Sequence, residues 1–455
     1  MSIERMGTLT GSLRVTGGSA SNSDGRLGRS SDGGAGSRSS GWSACWSGRR
    51  SSSWDGIRDG VWSGMRSVPR LASWSRSAAI AVGWSFVIAL GASESQAATP
   101  SEIGPAAGAI ERGRTADPSD DADPEDPEAP RPTAVELRFE GAGGIELVGT
   151  LLRPARVPAE GVPAVLLIPG SGPTDRDGSQ PPIFRIELLR LLAERLADEG
   201  VASFRFDKRA LAAYADLWPD DLEELGRFFS FANFVGDAEG AFAAMRAAEG
   251  IDRARTAIAG HSEGGLIALG VATRRTAAGE PPAGVALLAT PGRPIDEILR
   301  EQIRRPMELT GRPLGPEELA GLEALDAALA AVRDDRPLPA ETPPVLRPLF
   351  NPTTAVLLRE LMQVDLPAQC AALRGPALVL IGAEDAQVSP VRDARPLAEW
   401  LVAREPAATT LFVVVPATSH NLKGVSPADR IGFRGPVVPA AMDAFLAWTR
   451  LWSGG

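Results

Sequence analysis

The sequence predicts an α/β chain: a mostly parallel central sheet with helices on both faces and a helical cap inserted between two strands. Three observations point there. Ala164 to Ile168 and Ala377 to Ile381 are unbroken apolar runs, the pattern of strands buried on both faces. Around them, short apolar runs alternate with longer amphipathic stretches, the order that parallel strands with crossover helices require. Finally, Gly260-His261-Ser262-Glu263-Gly264 stands between the apolar run Thr256 to Ala259 and the apolar helix face Leu266 to Leu269. That segment reads as a strand, a sharp turn that lifts one hydroxyl above the end of the sheet, and a helix.

The elements follow in order. Ala134 to Glu140 and Glu146 to Arg153 read as a strand pair around the turn Gly141-Ala142-Gly143-Gly144. After the strand at 164–168, Leu188, Leu189, Leu192 and Leu196 form one stripe of a helix over Ile186 to Asp198. Val201 to Phe206 is the next strand, and Phe231 to Glu249 an amphipathic helix. The elbow strand and its helix come next, then the strand Val285 to Ala289. From Pro291 to Gln369 the alternation stops. Helical stretches at Ile295–Met307, Pro316–Val332 and Ala355–Met362 make this segment the predicted cap, with Ile298, Leu299, Ile303 and Met307 as cap core or pocket wall. The sheet resumes at Ala377–Ile381 and Leu411–Val415, and Pro439–Trp452 closes as a helix. No internal repeat is found.

Composition divides the 455 residues sharply. Residues 1–97 hold 11 Arg and 6 acids, whereas the rest holds 36 basic and 51 acidic residues. The acidic body argues against a nucleic-acid partner. Residues 1–64 are rich in Ser, Gly, Arg and Trp without an apolar period, so they are expected to be a disordered extension, or upstream sequence before a biological start at Met65. From Met65 to Ala97 the chain has the form of a secretory leader. Arg66, Arg70 and Arg76 precede an apolar stretch, Ser77 to Ala92, and Ser95-Gln96-Ala97 is a small-x-small cleavage site. The expected product starts at Ala98 and is periplasmic or secreted, with no stable membrane insertion; uncleaved, the same segment would be an N-terminal anchor. Residues 98–132, in which Asp117-Pro118 through Pro130 alternates acids with prolines, read as a linker, leaving 133–455 as the folded domain with its cap at about 291–369. Cys45 would leave with the leader. Cys370 alone makes no intrachain disulfide, and packing is its expected role.

A serine hydroxyl is a weak nucleophile until a base takes its proton. The chain has two histidines, so the search is short. His261 adjoins Ser262 on the same turn, where side chains diverge, and is expected to be structural. His420 follows a strand within Ser419-His420-Asn421-Leu422-Lys423, where doubly wound sheets hold their sites, and is the candidate base. Its partner carboxylate is expected at Asp385, with Glu384 as the alternative, in the loop Gly382 to Val388. An oxyanion needs backbone N–H donors set in advance. The amide of Glu263 and the amide of Ser171, in Pro169-Gly170-Ser171-Gly172-Pro173, are the candidates, and Gly260 and Gly264 keep the elbow free of side chains. No metal or cofactor is implied, since two histidines and one mature cysteine make no convincing metal cluster.

These segments resemble the α/β-hydrolases, and among them the bacterial EstD-type carboxylesterases and the serine aminopeptidase-like hydrolases. The matching pieces are Gly170-Ser171-Gly172-Pro173-Thr174-Asp175-Arg176-Asp177, Phe206-Asp207-Lys208-Arg209, the elbow, Gly382 to Val388, and His420-Asn421-Leu422-Lys423. The resemblance implies an α/β-hydrolase fold with Ser262 as nucleophile, Asp385 as acid and His420 as base, in the chain order of that family. Two positions depart from the family pattern. Pro169 stands where a histidine is usual, and Ala210-Leu211-Ala212-Ala213 replaces a glycine after Lys-Arg, which bears on loop stiffness and substrate shape. Three functions follow as expectations: an esterase for short-chain or acetyl esters of small molecules, a peptidase or amidase with the same triad, and a catalytically silent binding fold. A dehalogenase would carry Asp where Ser262 stands.

Overall fold

The computed structural model describes residues 130–454, apart from 310, 427, 428, 430 and 431. The extension at 1–64, the leader at 65–97 and nearly all of the linker at 98–132 lie outside the described residues. Eight strands form one sheet: β1 (Thr133–Glu140), β2 (Glu146–Arg153), β3 (Val162–Ile168), β4 (Ala202–Phe206), β5 (Ile251–His261), β6 (Val285–Leu288), β7 (Ala377–Gly382) and β8 (Thr410–Val415). Their order is β1-β2-β4-β3-β5-β6-β7-β8. β1–β2 and β2–β4 pair antiparallel, and every other neighbour is parallel.

Ten α-helices lie among the described residues: α1 (Leu188–Asp198), α2 (Leu222–Phe228), α3 (Phe231–Ala247), α4 (Glu263–Ala277), α5 (Ile295–Leu309), α6 (Pro316–Arg333), α7 (Pro352–Met362), α8 (Leu366–Ala372), α9 (Arg395–Val402) and α10 (Pro439–Ser453). The twofold alternation of the strands divides the core between two faces. Leu166, Ile168, Phe204, Ile258 and Val379 pack with Phe234 and Phe242 of α3, Leu266 of α4 and Leu397 of α9. Val165, Leu167, Ala257, Leu378 and Leu380 pack with Leu192 of α1 and Phe445 and Trp448 of α10. Every residue of β3 is buried, as its unbroken apolar run requires.

Three elements differ from expectation. β5 starts at Ile251, five residues before the predicted strand. Its first half is polar because Arg255 lies at the sheet rim, bonded to Asp252 Oδ2 and to the Gly161 and Ser453 carbonyls. α1 starts after Ile186 because Glu187 takes φ 58°, while the N–H groups of both residues donate to Ser179 Oγ. The cap also ends earlier than the predicted limit near Gln369. α5, α6 and α7 form it around Leu299, Leu325, Leu329, Phe350 and Leu358, and α8 then returns to the body through Leu366 and Cys370. Burial pushes the Cys370 thiol up to about 12, which fits packing and not reactivity. Among the described residues, no helix is long and apolar enough to cross a membrane.

The cap is tied to the body through α2, which the sequence pattern did not announce. Asp221 caps it by accepting from the Glu223 and Glu224 amides, each at 3.0 Å. Gly226 brings α2 against the start of α7: a Cβ there would lie 2.4 Å from the Pro352 carbonyl oxygen. Gly321, inside α6, has nothing within 4 Å of the same position. Gly226→Ala is therefore expected to cost about 1–3 kcal/mol by overpacking, whereas Gly321→Ala should stabilise by about 0.5–1 kcal/mol through helix propensity. Urea denaturation of the two variants checks the contrast, and equal effects would contradict the α2–α7 contact.

Candidate active site

β5 ends at His261 and α4 begins at Glu263, so Ser262 alone makes the reversal. It pays with a backbone at φ 55°, ψ −124°, a region costly for a residue with a Cβ. Its N–H donates to the Leu288 carbonyl at 2.8 Å, and its carbonyl accepts from Gly265 at 2.9 Å. Three glycines let the chain close so tightly. A Cβ at Gly260 would lie 2.0 Å from the Gly264 oxygen, one at Gly264 2.4 Å from the Ile168 oxygen, and one at Gly265 1.9 Å from Thr290 Oγ1. Gly265 was not singled out from the sequence, because the motif ends one residue earlier.

The loops after β7 and β8 meet beside this turn. His420 Nδ1 lies 2.8 Å from Asp385 Oδ2, and both side chains are buried. Asp385 Oδ1 accepts from the amides of Gln387 and Val388, both at 2.8 Å, which fixes the carboxylate. Glu384 is exposed and stands outside this arrangement. A carboxylate on Nδ1 keeps the proton there and leaves Nε2 free as a base. His261 holds the same loop from the other side, its Nε2 lying 2.9 Å from the His420 carbonyl oxygen. Burial, with His420 adding to it, pushes the His261 pKa down to about 3, so it stays neutral and donates to that carbonyl. Its role is structural, as its position on the turn implied.

Ser171 and Glu263 line one cavity together with Ser262. The Ser171 carbonyl accepts from Thr174 Oγ1 and Gln180 Nε2, both at 2.8 Å. Asp207 accepts the Arg176 backbone N–H at 2.8 Å and pairs with its guanidinium, and Arg205 pairs with Asp177. The segments 170–177 and 206–209 thus tie the loop after β3 to the end of β4. Lys208, also buried, donates to Glu263 Oε1 at 2.7 Å and to the Gly170 carbonyl at 3.1 Å. No role was read for Lys208 from the sequence; its signals were a place next to a buried strand end and membership of the family-like segment Phe206-Asp207-Lys208-Arg209.

Two cavities meet at Ser262. The first, about 70 Å³, lies under the cap and is walled by Leu266, Ile298, Leu299, Leu349, Leu358 and Leu361. The second, about 40 Å³, is lined by Gln180, Phe184, His261, His420, Asn421 and Phe433. Gln387 borders both. Ile298 and Leu299 are therefore pocket wall, while Ile303 packs on the cap cluster. The departing loop at Ala210 borders a smaller space with Gly172 and Pro173, next to the site.

The sequence profile of the Alpha/beta hydrolase family matches residues 165–430, more than half of the chain and all the residues above that carry chemistry. The chain belongs to the alpha/beta hydrolase family. Among curated proteins, Esterase EstD of Thermotoga maritima is 28% identical over 142 residues, which span 31% of this hydrolase and 30% of that protein. Among solved structures, carboxyl esterase 2 of Tuber melanosporum aligns with a TM-score of 0.43 at 14% identity, over 71% of this chain and 89% of the other. A puromycin-hydrolyzing peptidase of Mycobacterium tuberculosis aligns with a TM-score of 0.43 at 17% identity, over 71% of this chain and 39% of the other.

The half-buried His261 makes a pH prediction for this hydrolase. Its folded pKa lies below its ordinary value of 6.5. Between pH 6.5 and about 3 the unfolded chain therefore binds one more proton at this site than the folded chain, and stability falls as pH falls, with a limiting slope of about 1.4 kcal/mol per pH unit. His261→Gln should flatten the loss between pH 6.5 and 4 in urea titrations. Parallel curves for the two proteins would contradict an imidazole held neutral by the fold.

Proposed function

We propose that this chain is an exported serine esterase acting on short-chain or acetyl esters. The observation that carries the proposal is the buried Asp385–His420 pair opening on the same cavity as the strained Ser262. Ser262 Oγ attacks the ester carbonyl carbon as His420 Nε2 takes its proton, and Asp385 stabilises the imidazolium. The carbonyl oxygen becomes an oxyanion received by the amides of Ser171 and Glu263. The tetrahedral intermediate collapses, the alcohol leaves with the proton from His420, and an acyl-Ser262 remains. Water, deprotonated by the same imidazole, then releases the acid. The leader-like segment at 65–97 supports export to the periplasm or the exterior.

The size and chemistry of the two cavities support the short acyl group. An apolar cavity of about 150 Å³ holds benzene, so the 70 Å³ space under the cap suits a chain of a few carbons. The more polar second cavity is left for the alcohol. A peptidase that binds an N-terminal ammonium needs a free carboxylate in the pocket, and that of Glu263 is paired with Lys208, which favours the esterase.

The test is hydrolysis of p-nitrophenyl acetate, butyrate and octanoate. The acetate and butyrate should be turned over with kcat/KM at least about tenfold above the octanoate, and Ser262→Ala should lower kcat by roughly 10³-fold or more. A Ser262→Ala protein with near-full activity would sink the nucleophile assignment. Octanoate turned over as well as acetate would sink the short-chain assignment. Absence of ester turnover, with Ser262 still labelled by a fluorophosphonate, would point to the amidase.

A further inference from the structure

We infer that Lys208 is a positioning residue for the oxyanion site, holding both of its backbone donors through one ammonium group. The inference rests on the roles proposed above for the Ser171 and Glu263 amides. Lys208 Nζ donates to the Gly170 carbonyl at 3.1 Å and to Glu263 Oε1 at 2.7 Å. The Gly170 carbonyl and the Ser171 N–H belong to one planar trans peptide and point in opposite directions. A cation that grips the carbonyl from behind therefore turns the N–H forward. Ser171 faces the cavity that Ser262 faces, so forward is toward the reacting carbonyl.

The next peptide is fixed independently, since the Ser171 carbonyl accepts from Thr174 and Gln180. Gly170 itself has no side chain to lock it, and a Cβ there would lie in ordinary contact with Ser262 Cβ at 3.4 Å. Lys208 supplies from outside the restraint that a side chain at 170 would otherwise give. Its second bond runs to the residue whose own amide is the other donor. One ammonium thus spans the loop after β3 and the start of α4. Hydrogen bonds in series also polarise one another, so a charged donor on the carbonyl makes the Ser171 N–H a better donor to a negative oxygen.

The ammonium is almost completely buried and lies 4.2 Å from the Phe234 ring centroid, which limits its freedom to move. Its charge is matched by Glu263, also buried. Removing one partner alone would strand the other charge, a large cost in folding that would hide any catalytic effect. The test must therefore neutralise both.

The informative series is the wild type, K208Q/E263Q and K208M/E263Q. It orders the donor on the Gly170 carbonyl as strong, weak and absent while leaving no buried charge unpaired. With p-nitrophenyl acetate, kcat is expected to fall along the series, by roughly 10²-fold from the wild type to K208M/E263Q, the effect of losing an oxyanion donor. KM should stay within about threefold. The affinity for an aryl trifluoromethyl ketone, which binds as a tetrahedral adduct, should fall in step with kcat, a correlation that mere loosening of the fold would not produce. If K208M/E263Q does not fold, the wild type against K208Q/E263Q carries the same comparison. Equal kcat and equal inhibitor affinity across folded members would overturn the positioning role while leaving the esterase standing. A wild-type protein that neither hydrolyses the ester nor reacts with a fluorophosphonate would overturn the serine assignment and this inference with it.

Discussion

A single residue separates the last position of β5 from the first position of α4, and the site depends on that reversal. Ser262 can hold a left-handed backbone there only because its surroundings leave no other way through. The Leu288 carbonyl anchors its N–H, and Gly260, Gly264 and Gly265 remove every side chain from the crossing with β3 and the loop after β6. The strain, of the order of 1–3 kcal/mol, is borne by the packed strands β3 and β6 and the buried second half of β5. The parallel sheet is thus the condition for an exposed, fixed hydroxyl.

Around that point, groups with no chemistry of their own set the geometry. His261 steadies the His420 backbone, the Gln387 and Val388 amides orient Asp385, and Asp207 and Lys208 secure the loop after β3. The ties of His261, Asp207 and Lys208 each join two different strand-end loops or a loop to a strand. The cap is fastened in a similar way. Asp393 accepts from Ser389 behind the Asp385 loop and pairs with Arg293 at the entrance to the cap, while Gln302 of α5 donates to the Gln387 carbonyl. The wall of the apolar cavity and the carboxylate loop are therefore held in one network.

Much of this was legible in the sequence, for reasons particular to each part. β3 and β7 are buried on both faces, so their apolar runs are unbroken. The polar half of β5 gave no such signal, because it lies at the rim and is held by Arg255. α2 and α8 have seven residues each, too short for a period to show, and α2 is recognised only through the contact of Gly226 with α7. With two histidines in the chain, His420 stood out as the candidate base. The choice between Asp385 and Glu384 needed the fold of the loop, which buries one carboxylate and exposes the other. Lys208 and Glu263 are 55 positions apart, and no local pattern links them.

The central claim is that a carbonyl carbon held on Ser262 directs its oxygen between the amides of Ser171 and Glu263. A crystal structure of the protein after reaction with diethyl p-nitrophenyl phosphate tests it most directly. The account predicts a phosphoryl adduct on Ser262 Oγ with one oxygen about 2.7–3.1 Å from both amide nitrogens. An adduct on another residue, or an oxygen turned away from these two amides, would contradict it.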